Sequence, residues 1–200
     1  MTFEPGAFEA LIEPARCGNQ QAQQELWHAH RRWVAAIILA HRPKTVEVED
    51  LLQDVAVKFV SKIHTLRDDR AFRPWLRQIA INICRGAARS SKVALRFTGP
   101  SREDLDHSVR GVVGEPATPE ASADEELEKK DYAQRILSKV LSLPASYREP
   151  LVLRCMRSLS YQQISEILDL PVTTIETRLA RARRMLREEI AAEQNDGFHS

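Results

Sequence analysis

Thr173, Thr174, Glu176, Thr177, Arg178 and Arg181 fall within one short stretch near the C-terminus. They combine hydroxyls, one carboxylate and two guanidinium groups, with no nucleophile–base pair among them. The chemistry open to such a set is hydrogen bonding. Hydroxyls and guanidiniums can bond to base edges and phosphate oxygens of DNA. A carboxylate accepts from cytosine N4 or repels phosphate. For this the side chains must project from one rigid element that fits the major groove, which an α-helix does.

The surrounding residues, REPLVLRCMRSLSYQQISEILDLPVTTIETRLARARRMLR over 148–187, predict that element. Ser160 followed by Gln163 has the S-x-x-Q pattern of a capping box. Ile164, Ile167 and Leu168 recur at helical spacing behind it. Asp169-Leu170-Pro171 interrupts the pattern, because proline cannot continue a helix interior but is accepted in a first turn. A second helix follows, with Ile175, Leu179, Ala182 and Leu186 on its inner face. The pattern is a helix-turn-helix, whose common use is to lay its second helix on DNA. An ordinary helical hairpin with a solvated Arg-rich face would also fit this segment alone.

The chain has 200 residues, 43% hydrophobic and 28% charged but only 6% aromatic. Apolar spacing is helical nearly throughout and no segment reads as a β-hairpin, so the expected fold is all-α, with two helical domains. The longest apolar run, residues 33–40, is too short to span a bilayer. The start, MTFEPGAFEALIEP, lacks the basic n-region and apolar core of a signal peptide, so a cytoplasmic location and no membrane insertion are expected. Cys17, Cys84 and Cys155 form no C-x-x-C pair and read as buried or half-buried residues. His28 and His30 fall on different sides of a helix. No Gly-rich phosphate loop, metal-ligand cluster or nucleophile elbow is present, so no catalysis and no cofactor are expected.

Net charge is only +1, but it is unevenly spread. Residues 58–96 hold ten basic and two acidic side chains, 97–131 four basic and ten acidic, and 172–187 five Arg against Glu176. Two basic surfaces flank an acidic connector, and phosphate binding responds to that local charge.

Residues 1–91 read as a first helical domain. It has a helix over 22–40 and an amphipathic helix over 47–64 that buries Leu51, Leu52, Val55, Phe59 and Ile63. A third helix over 73–89 turns Trp75, Leu76, Ile79 and Ile83 inward. Glycines and prolines break the pattern over 92–123, which reads as a flexible acidic linker. A second helical domain spans 124–193, with Leu143-Pro144 separating its first two helices. Residues 194–200 form a tail expected to fray.

Three stretches together resemble the extracytoplasmic-function (ECF) group of sigma-70 factors of bacterial RNA polymerase. The resemblance covers all but the linker. VEDLLQDVAVKFVSKI at 48–63 is similar to the family's helix that docks on the clamp helices of the polymerase largest subunit. This implies polymerase binding by Asp50, Gln53, Asp54 and Lys58. RAFRPWLRQIAINICRGAAR at 70–89 is similar to the segment that melts and reads the −10 element. By that resemblance Arg67, Arg70, Arg73, Arg77, Asn82 and Arg85 meet the −10 strand. Basic side chains along phosphates and surfaces for unstacked bases suit that task. Trp75 has the spacing of a core anchor rather than of a stacking platform.

PVTTIETRLARAR resembles the −35-reading helix, on which Thr173, Thr174, Glu176, Thr177, Arg178 and Arg181 fall at the contacting positions. Three residues depart from the family's pattern. Ile81 stands where Arg is usual, Gly86 where Asp is common, and Glu176 at a position often basic. The resemblance implies core RNA polymerase and promoter DNA as partners, and an anti-sigma factor as a further one. In the family the linker threads toward the polymerase cleft. Here its acids could instead mask the basic surfaces until polymerase displaces it. Read without the resemblance, the chain also admits a stand-alone helix-turn-helix repressor or activator, or a helical protein-interaction adaptor.

Overall fold

Gly18 and Asn19 set the first sharp boundary. Helix α1 (Ile12–Arg16) follows a 3-10 turn at Glu9–Leu11 and ends where Gly18 takes a φ of 91°. The Gly18 N–H donates to the Ala15 carbonyl and the Asn19 N–H to the Pro14 carbonyl, both within about 3.1 Å. This double closure needs a left-handed residue, which glycine supplies without steric cost. The Asn19 side chain then accepts from the Ala22 N–H at 3.0 Å and starts helix α2 (Gln20–His41).

The computed structural model describes residues 8–98, 123–157 and 159–196, with side chains over 8–90, 132–155 and 159–192. All described elements are helical, so the fold is all-α among the described residues, as expected. The chain divides into two compact units.

In the first unit α2 packs against α3 (Val48–Lys62) and α4 (Phe72–Thr98), which also pack on each other. Every residue from Trp33 to Ala40 is buried, because that part of α2 is apolar all round and lies at the centre. Phe59 of α3 is fully buried. Its ring lies 6.1 Å from Trp27, 6.2 Å from Phe72 and 6.4 Å from Trp75. The expected buried face of α3 holds. That of α4 is rotated. Its buried row is Phe72, Leu76, Ala80 and Cys84, joined by Ile81, while Trp75, Ile79 and Ile83 are half-buried flanks. Two small residues in that row let α4 approach closely, and a count of large apolar side chains gives them too little weight. Helix α4 also runs on to Thr98, past residue 92 where the linker was expected to begin. The rest of the expected linker, 99–122, lies outside the described residues, as does the tail beyond Asp196.

The second unit contains α5 (Ala123–Ser142), α6 (Ala145–Arg157), α7 (Tyr161–Leu168) as far as Ser165, and α8 (Val172–Asp196). Leu143-Pro144 makes the corner between α5 and α6. Leu143 is buried, and the Pro144 carbonyl accepts from the N–H groups of Tyr147 at 2.9 Å and Arg148 at 3.0 Å. Arg148 reaches back to donate to the Leu141 carbonyl, which ties α6 to the end of α5. Helix α8 packs along α6 and touches α5.

Candidate nucleic-acid interface

The turn before α8 is held at both ends. At the start of α7 the Ser160 N–H donates to Gln163 Oε1 at 2.8 Å, and the Gln163 N–H donates to Ser160 Oγ at 3.1 Å. This is the reciprocal capping box expected from S-x-x-Q. At the other end Asp169 takes a positive φ of 53°, and the Leu170 N–H donates to the Ser165 carbonyl at 3.1 Å. The Ser165 hydroxyl donates to the Leu170 carbonyl. A left-handed residue followed by that long-reach bond is a Schellman stop. The Pro171 carbonyl then accepts from Thr174 at 2.9 Å and Ile175 at 3.2 Å, opening α8.

Ile175, Leu179 and Ala182 of α8 are buried, and Leu186 is half-buried. The predicted residues occupy the rest of the helix surface, from the flank of that row to the far side. Thr173, Glu176, Thr177 and Arg181 are exposed, and Thr174 and Arg178 half-buried. The Thr177 hydroxyl donates to the Thr173 carbonyl at 2.9 Å, so its proton is committed to its own helix. Thr173, Thr174, Thr177, Arg178 and Arg181 share a shallow recess with Ser146 and Tyr147 of α6. Tyr147 Oη lies 3.5 Å from Arg181 Nη1. Tyr147 was not among the residues predicted from the sequence. No local pattern joins it to a residue 34 positions later.

In the first unit, Asp50, Gln53, Asp54 and Lys58 are all exposed on α3 and follow one another at i, i+3, i+4 and i+8, a single stripe. Beside it Val57 is 71% and Val60 50% exposed, which the sequence reading passed over as part of a polar face. The predicted −10 residues are less unified. Arg67 and Arg70 are exposed in the loop before α4. There Asp68 accepts from the Arg70 N–H at 3.0 Å and starts the 3-10 turn Asp69–Ala71. Arg73 and Arg77 are half-buried on one side of α4. Asn82 is exposed about half a turn round from Arg73. It accepts from Gln78 at 2.9 Å, with Arg85 exposed further along. Trp75 packs 6.1 Å from Phe72, as an anchor would. Ile81 is only 4% exposed, so an arginine there would have to give up most of its water.

Cys84 is buried as expected, but Cys17 and Cys155 are exposed, because each sits near a helix end rather than in a seam. His30 is buried and His28 exposed. Among the described residues no group of three or more His, Cys, Asp or Glu could hold a metal ion, and no helix is long and apolar enough to cross a membrane.

Residues 26–100 match the family model for sigma-70 region 2, and residues 133–186 that for sigma-70, region 4. The chain belongs to the sigma-70 family. Within it the chain falls in the ECF group. It is 28% identical over 183 residues to the ECF RNA polymerase sigma-E factor of Escherichia coli, covering 91% of this chain and 93% of that protein. The protein of the same name from Haemophilus influenzae is 26% identical over 183 residues, covering 91% and 94%. The solved structure of CnrH in complex with the cytosolic domain of CnrY is similar with a TM-score of 0.60 at 26% identity, covering 94% of this chain and 99% of CnrH. In this sigma-70 frame the α3 stripe and the arginines around α4 fall in region 2. The recess on α6 and α8 falls in region 4.

Proposed function

We propose that this sigma factor binds core RNA polymerase and directs promoter-specific transcription initiation by reading −10 and −35 elements. Region 2 and region 4 matches and ECF relatives carry the initiation role itself. The observation that carries the residue-level reading is the outward part of α8. Thr173, Glu176, Thr177 and Arg181 are exposed there, and half-buried Thr174 and Arg178 flank the buried row Ile175, Leu179 and Ala182. In this reading Thr173, Thr174, Glu176, Thr177, Arg178 and Arg181 meet the −35 duplex in the major groove. Asp50, Gln53, Asp54 and Lys58 bind the clamp helices of the polymerase largest subunit, and exposed Val57 and Val60 add apolar area to that contact. Arg67, Arg70, Arg73, Arg77, Asn82 and Arg85 follow the −10 strand as it opens. Residues 1–91 and 124–193 act as the two DNA-reading domains, joined by the linker.

The protein works by binding rather than catalysis, without a cofactor, in the cytoplasm beside its polymerase. CnrH was solved in complex with the cytosolic domain of CnrY, and that likeness supports an anti-sigma partner here. The test is capture of core bacterial RNA polymerase followed by run-off transcription from a genomic fragment library. The wild type should bind core and yield discrete start sites. Arg178→Ala with Arg181→Ala should keep core binding and lose −35-dependent transcription. Full transcription by that pair would reassign the recognition helix. Failure of the folded wild type to bind core would favour a repressor or an adaptor.

A further inference from the structure

The exposed stripe of α8 is uneven in chemistry. Thr173, Glu176, Thr177 and Ala180 are all exposed and follow one another at i, i+3, i+4 and i+7, so they line one strip of helix surface. Arg178 and Arg181 share the recess beside α6 with Tyr147, Thr173 and Thr177, and Glu176 and Ala180 lie outside that recess. Three of the four strip residues are short. Ala180 in particular lets the helix backbone approach a surface closely. Glu176 is the one long side chain among them, and it carries acceptors only.

No cation is spaced to neutralise that carboxylate along the helix. Its i−4, i−3, i+3 and i+4 neighbours are Val172, Thr173, Leu179 and Ala180. A lone carboxylate carried toward the phosphates of a groove is repelled unless it finds a donor. Among base edges in the major groove the donors are the amino groups of cytosine and adenine. Adenine sets its N7 acceptor beside the amino group, where it opposes the second carboxylate oxygen. Cytosine offers the amino group with no acceptor at its free flank. The Thr177 proton, bound to the Thr173 carbonyl, leaves that neighbour no donor with which to satisfy the carboxylate.

We propose that Glu176 is a specificity-determining residue that selects a cytosine in the −35 duplex by accepting from its N4 amino group. This rests on α8 being the −35-reading helix. Core polymerase with the full-length protein is given a promoter library randomised across the −35 element, and transcribed templates are sequenced. The wild type should enrich cytosine at one position by about tenfold. Glu176→Gln, which keeps shape and adds a donor, should lose that preference and gain adenine at the same position, leaving the others unchanged. Glu176→Arg should move it to guanine. Thermal melting of the variants checks that the fold is intact.

Identical base preferences in wild type and both variants would overturn the assignment, as would a wild type that enriches no cytosine. A wild type that binds core but enriches no −35 sequence would overturn the reading of α8 beneath it as well. A carboxylate that served only to stabilise the first turns of α8 would move the melting temperature and leave base preference untouched.

Discussion

His30 shows how a single polar residue can be kept in an apolar core. Its Nδ1 lies 2.7 Å from the Leu26 carbonyl, so Nδ1 carries the proton and donates it. Phe72 at 5.0 Å, Phe8 at 5.8 Å and Trp33 at 6.1 Å meet the ring edge-to-face. Burial lowers its pKa from 6.5 to about 4. The unfolded chain takes up a proton below about pH 6.5 while the folded chain resists it. Stability therefore holds above that pH and declines as pH falls toward 4, by roughly 3 kcal/mol in all. Urea midpoints at pH 7 and 4.5 should differ less in His30→Leu than in the wild type. An equal decline would assign the acid sensitivity to other groups.

At the scale of elements, α7 depends on its ends. It spans only Tyr161–Leu168, too short to be helical on its own in water. Its buried residues Ile164, Ile167 and Leu168 contribute packing, but the Ser160–Gln163 box and the turn at Asp169 define where it starts and stops. Ser160→Ala should cost about 1 kcal/mol, whereas Ser160→Asp should keep most of the stability. Thermal unfolding would show the difference, as a fall of a few degrees for alanine alone. No shift for alanine would mean that the cap is redundant with packing. Arg154 supports the same entry from α6. It donates to the Leu159 carbonyl and lies 5.5 Å from the Tyr161 ring centroid.

For the whole molecule, charge distribution matters more than charge total. A net +1 hides two basic stretches and the acidic residues 97–131 between them. Two modest DNA-reading surfaces on one chain gain from effective concentration when both can engage. The acids of the connector work against that in the free protein if they occupy the basic surfaces. Deleting residues 100–120, which removes five acidic and two basic side chains, should then raise the DNA affinity of the free protein. Titration of labelled promoter duplex at matched salt would measure it. An unchanged affinity would leave the connector as a tether only.

The residues by themselves determined the main helices, the Ser160 cap and the sigma-70 resemblance. Helical periodicity, S-x-x-Q and Leu-Pro corners act between residues a few positions apart, so sequence spacing is spatial spacing there. The same holds for Thr173, Glu176, Thr177 and Arg181, whose common side of α8 follows from one helix's own geometry. Only the tertiary structure decided which arc of α4 is the seam. Of the expected inward residues Trp75, Leu76, Ile79 and Ile83 only Leu76 is fully buried, and its row is completed by Phe72, Ala80 and Cys84, because the small Ala80 and Cys84 fit a close-packed helix seam. It alone also brought Tyr147 to Arg181 and left Val57 and Val60 bare. Those facts depend on which helix lies against which, and that is settled by shape complementarity between segments far apart in the chain.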